Sequence, residues 1–147
     1  MSANSLCEPE DEVVFACEIG SKNVSVCMTE KGRIEYVYGA GDTVELELNS
    51  PLFSSAVCPG GGISRLRFKN GNYNYIVYDV MRHSGGIGEN QRSKSDFAGR
   101  VVLNQGDVVF NKTCTSFEDE VFGVNSGILP ESVGKEDFDY NLSLIHI

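Results

Sequence analysis

With 147 residues, 41% of them hydrophobic, the chain is long enough for one domain with its own core and needs no metal or partner subunit to fold. Its formal charge of −9 sits at the ends: residues 1–14 carry four acids and no base, residues 115–147 seven acids and only Lys135, and residues 15–114 ten acids against eleven bases. That balance argues against nucleic acid as a partner, and no apolar run reaches the ~18 residues of a membrane span.

Sixteen glycines against four prolines, with plentiful Val, Ile, Tyr and Phe, favour an all-β fold rich in tight turns. Residues 1–11 are polar, lack the basic and apolar regions of a leader, and read as a loose arm. Four short strands follow. Residues 12–17 place Val13, Phe15 and Cys17 on one face, and residues 23–28 alternate Val24 and Val26 with Ser25 and Cys27. Residues 33–38 align Ile34, Tyr36 and Tyr38, and residues 43–48 align Val44, Leu46 and Leu48. Joined by Gly-containing turns, they predict an antiparallel meander.

Residues 49–62, with two prolines and three consecutive glycines, read as a connection to a second sheet, anchored by Cys58. Residues 63–80 then form the strongest hairpin signal in the chain. Asn70-Gly71 suits a type I′ turn and would pair Phe68 with Tyr73, Leu66 with Tyr75 and Ser64 with Val77 on an apolar face. Arg65, Arg67 and Lys69 fall on the opposite face, expected to meet solvent. Residues 82–96 lack periodicity and read as a long loop. A last hairpin, 98–104 and 107–114, turns at Gln105-Gly106. The expected fold is an antiparallel eight-stranded sandwich or flattened barrel over residues 12–114, with irregular acidic arms at 1–11 and 115–147. Residues 142–147 resemble translated adapter sequence and carry no functional weight.

Five cysteines have no C-x-x-C spacing, and His83 and His146 are the only histidines, so no metal site or cofactor is implied. Cys17, Cys27, Cys58 and Cys114 are disulfide candidates with all three pairings open, and Cys7 is the expected free thiol. Such a framework suits a periplasmic or secreted protein.

Catalytic constellations are thin. Glu45 and Glu47 share a strand face and read as a solvated pair, and His83 beside Ser84 does not make a nucleophile–base pair by adjacency. No catalytic residue is assigned, and the expected role is a non-catalytic binding module. Two surfaces compete for that role. The long loop offers Arg82, His83, Ser84, Gly85, Gly86, Ile87 and Gly88 to a protein partner in the cell envelope, with glycines allowing close backbone approach. The arginine face, Arg65, Arg67 and Lys69, would instead take a polyanion or a glycan.

The succession Phe15-x-Cys17, Val24-x-Val26-Cys27, Tyr36-x-Tyr38-Gly39, Glu45-Leu46, Gly60-Gly61-Gly62, Arg67-Phe68-x-Asn70-Gly71 and Tyr75-x-Val77-Tyr78 resembles a group of small exported proteins of Gram-negative bacteria. More loosely, the aromatic-x-Cys opening and the β build are similar to membrane-bound and periplasmic inhibitors of c-type lysozyme, which block the enzyme with a Ser-Gly-x-x-Tyr loop. Ser84-Gly85 stands in the long loop here, with Ile87 three residues after Ser84. That resemblance implies inhibition of a cell-wall hydrolase.

Overall fold

A computed structural model describes residues 6–40, 43–58, 61–83, 93–114 and 129–137, and these contain ten strands and no helix. β1 (Glu12–Ile19), β2 (Lys22–Met28), β3 (Ile34–Ala40) and β4 (Thr43–Asn49) form the predicted antiparallel meander. The second sheet holds β5 (Leu52–Cys58), β6 (Gly61–Asn70), β7 (Tyr73–His83), β8 (Ser93–Asn104), β9 (Asp107–Thr113) and the two-residue β10 (Gly134–Lys135). Its order is β10-β5-β6-β7-β8-β9, antiparallel throughout except that β10 runs parallel to β5. The fold is therefore all-β and sandwich-like, with two strands more than the expected eight.

The main core is what period-two alternation gives when two sheets face each other. Phe15, Cys17, Val24, Val26, Ile34 and Tyr36 of the first sheet meet Leu66, Phe68, Val77 and Ala98 of the second. A bulge between Val13 and Phe15 inserts Val14, which lets both Val14 and Phe15 point inward. Full burial of Phe68 or Leu66 contributes roughly 1.5–3 kcal/mol each.

Several expectations need correction. Residues 52–58 form β5, one of the missing strands. Phe53 faces the main core and Ser54 and Ala56 the other side, a pattern that Pro51 and the serine pair hide. The central hairpin turns at Gly71-Asn72, one residue later than predicted, pairing Phe68 with Tyr75, Leu66 with Val77 and Arg65 with Tyr78. Gly71 has φ +65° and Asn72 no positive φ, so the glycine takes the first central position of a type II′ turn. The slide of each pairing by two residues preserves the faces. β7 and β8 stay paired out to His83 and Ser93, so the ladder takes up both ends of the predicted 82–96 loop.

The outer face of the six-stranded sheet is not a solvated face. Ile63, Ile76, Tyr78, Val80, Val101 and Leu103 form a second apolar cluster there. Two disulfides complete the fold, Cys7–Cys27 and Cys17–Cys114. Cys7 is thus bonded, not free, and Cys58 lies outside both pairs. The N-terminal arm comes to β2 because Leu6 N–H donates to Ser25 Oγ at 2.9 Å, and the Glu8–Asp11 turn closes on its own backbone. Cys17–Cys114 ties β1 of one sheet to the end of β9 of the other.

Candidate binding cleft on the outer sheet face

Arg67 organises the described polar chemistry of the outer face. β6 places it on the side opposite Leu66 and Phe68, between Leu52 of β5 and Ile76 of β7. Its Nε donates to Glu136 Oε2 at 3.1 Å, and its Nη2 pairs with Glu136 Oε1. Its Nη1 donates to Asn74 Oδ1 at 3.0 Å. The guanidinium fork therefore receives both oxygens of one carboxylate, the strongest geometry for that pair. Arg67 and Glu136 side chains are only 24% and 25% exposed.

Around this pair lies a cleft of about 290 Å³, lined by Ser54, Arg65, Arg67, Asn74 and Glu136 over a floor that includes Ile76 and Leu103. It is at the small end of ligand pockets. Ser54 and Arg65 are directly opposed on β5 and β6 and are 4% exposed each. Glu136 arrives from the C-terminal segment. Leu129 and Val133 pack on the main core, β10 aligns Gly134 and Lys135 with Leu52 and Phe53, and Glu136 N–H donates to Phe53 O at 3.0 Å. Strand alternation then sends Val133 inward and Glu136 to the outer face.

The three residues of the predicted polyanion face differ in exposure. Arg65 is buried beside the second apolar cluster, Arg67 is held by Glu136 and Asn74, and only Lys69 is exposed. The cause is that both faces of β6–β8 bury apolar side chains, so residues opposite the main core are not outside the protein. Of the predicted loop site, Arg82 and His83 end β7, opposite Lys94 and Ser93, while Ser84, Gly85, Gly86, Ile87 and Gly88 lie outside the described residues. Glu45 and Glu47 are exposed, and Glu45 pairs with Lys22. Among the described residues, no three His, Cys, Asp or Glu gather as metal ligands would, and no helix is long and apolar enough to cross a membrane.

Sequence reasoning missed Ser54 with its strand and Glu136; it set Asn74 directly opposite Arg67, where the ladder places Ile76 and leaves Asn74 as a diagonal partner. Val133-Gly-Lys-Glu136 offers one apolar residue, with Lys135 on the same strand face, so nothing local marks Glu136 within an acidic tail. Fold and cleft together define a disulfide-bonded β-sandwich with a polar cleft on the outer face of its larger sheet. Comparison with known protein families, curated proteins and solved structures finds no match for this chain.

Proposed function

We propose that the chain is a non-catalytic binding module that works outside the cytoplasm, periplasmic or secreted, and that its ligand is a glycan held at the Arg67 cleft. The observation that carries this reading is the cleft's composition: hydrogen-bonding groups from Ser54, Arg67, Asn74 and Glu136 line it together with the apolar Ile76 and Leu103. A sugar ring needs that combination, directional partners for its hydroxyls and an apolar surface for its C–H groups. The two disulfides support the location, because such bonds persist in oxidising compartments. The test is an array of neutral and acidic oligosaccharides probed with the oxidised full chain. Saturable binding is expected, weakened at least tenfold by Asn74→Ala in a protein whose near-ultraviolet circular dichroism is unchanged. No saturable binding to any oligosaccharide overturns the reading.

A second reading follows from the resemblance to lysozyme inhibitors. It is favoured by the β7–β8 ladder, which runs to His83 and Ser93 and provides a paired stem for the connection carrying Ser84 to Gly88. Replacing residues 84–92 by a short Asn-Gly turn should then abolish inhibition of a c-type lysozyme while the protein stays folded. A native chain that leaves lysozyme turnover unchanged removes this reading.

A further inference from the structure

Glu136 fills its site as a bidentate carboxylate, a common geometry of an Arg–carboxylate pair. Its carboxylate takes two donors of the Arg67 fork, while Asn74 takes a third. The segment that delivers it has its apolar anchor behind the carboxylate, and at Glu136 itself it is held by one backbone bond to Phe53 O and by Arg67. Leu129 and Val133 rest on the main core, whereas Gly134 and Lys135 are exposed and contribute a ladder of two residues. Lifting residues 134–136 from β5 would break that backbone bond and the two-residue ladder but leave the apolar anchor at Leu129 and Val133 in place.

Charge points the same way. With Glu136 in place, the described lining holds two arginines and one acid; with Glu136 withdrawn it holds Arg65, Arg67 and no acid. The vacated site is a planar, bidentate carboxylate receptor with a hydroxyl and an amide, Ser54 and Asn74, beside it.

We propose that Glu136 is a tethered stand-in for a ligand carboxylate, and that the cleft takes acidic sugars of the uronic-acid type, whose carboxylate displaces it from Arg67. This rests on the glycan reading above and specifies its chemistry. A tethered competitor acts at an effective concentration in the millimolar range, so a bare carboxylate competes poorly. A uronic acid brings ring hydroxyls to Asn74 and Ser54 together with its carboxylate, contacts that Glu136 alone does not supply. Glu136 thereby sets a threshold that rejects simple acids.

The experiment is calorimetric titration of the oxidised full chain with trigalacturonate, the neutral trisaccharide of galactose and sodium acetate, alongside amide exchange by NMR. Trigalacturonate should bind the native protein and speed exchange of the Glu136 amide, which loses its bond to Phe53 O. Glu136→Gln should bind it about tenfold tighter. Arg67→Lys, which keeps the charge but loses the fork, should bind it at least tenfold more weakly. Acetate should not bind the native chain. Equal affinity for the acidic and neutral trisaccharides, indifferent to Glu136→Gln, overturns the inference and leaves the glycan reading standing. Absence of binding by either sugar to native and Glu136→Gln proteins overturns both. An acidic peptide that binds the Glu136→Gln protein more tightly than trigalacturonate overturns the assignment to a sugar.

Discussion

Gln105 has φ +55° and Gly106 φ +92°, the pair of left-handed residues that a type I′ turn between β8 and β9 requires. Glutamine gains nothing there, because its longer side chain lacks the local hydrogen bond that lets asparagine tolerate this region. Gln105→Asn should stabilise the protein by about 0.5–1 kcal/mol, read by urea denaturation with an unchanged m-value. Arg100 is the opposite case, a costly residue that its surroundings satisfy. It is 5% exposed, donates from Nε to Tyr36 Oη at 2.5 Å, and lies 3.7 Å from the centroid of Tyr38 and 4.7 Å from that of Phe110. Burial pushes the Tyr36 hydroxyl from its ordinary 10.0 up to about 12, with Arg100 opposing the shift. Between those two values the folded state keeps a proton that the unfolded state has released. Stability should therefore fall as pH rises from 10 to 12, by roughly 2–3 kcal/mol in total, and Tyr36→Phe should remove that part of the slope. Alternation alone places Arg100 on the inward face. Nothing in the sequence shows that rings from β3 and β9 arrive on it, which is why the cation stands out only once the sheets are stacked.

At the scale of strands, Gly99 of β8 marks a close approach. A Cβ there would lie 2.5 Å from Tyr78 Oη and 2.5 Å from Lys112 O, a backbone atom that cannot swing away. Tyr78 stands opposite Gly99 in the ladder and lays its ring over it. Gly99→Ala should cost about 1–3 kcal/mol and loosen the β8–β9 pairing, visible as faster amide exchange along β9. The strands themselves were largely legible, and the reason is local. Periodicity of two and glycine turns are properties of a few consecutive residues, so β1 to β4 and the Gln105-Gly106 hairpin could be read directly. The same locality explains the errors. The Asn70-Gly71 dipeptide fits a type I′ turn, and only the wider pairing selects a type II′ turn at Gly71-Asn72. The regular alternation of residues 43–48 marks an edge strand, where Val44 is 45% exposed, so clean patterning did not mean deep burial.

For the whole molecule, what decides burial is which sheet face is covered, and that is where the candidate site escaped the sequence. Alternation puts Arg65 and Arg67 on one face, yet that face carries a second apolar cluster and receives Glu136 from 69 positions beyond Arg67. The disulfides show the same long reach. Cys17–Cys114 closes a sequence separation of 97 residues and joins the two sheets. Replacing both cysteines by alanine should destabilise the protein by about 4 kcal/mol, measured by denaturation of oxidised samples. Thiol titration of denatured, unreduced protein should find one thiol, and peptide mapping should assign it to Cys58, since the other four cysteines are bonded.

The two disulfide spans interleave: Cys17 lies between Cys7 and Cys27, and its own partner comes only at Cys114. An oxidant that joined thiols in their order of emergence would link Cys7 to Cys17 and then Cys27 to Cys58. Neither bond occurs in the fold. Under such an oxidant the chain would depend on reshuffling, as a dithiol isomerase or a glutathione buffer provides, after β9 has docked and brought Cys114 to β1. A protein built this way tolerates slow oxidation better than rapid oxidation. Its yield should rise when the thiol–disulfide ratio is kept permissive until the second sheet is complete.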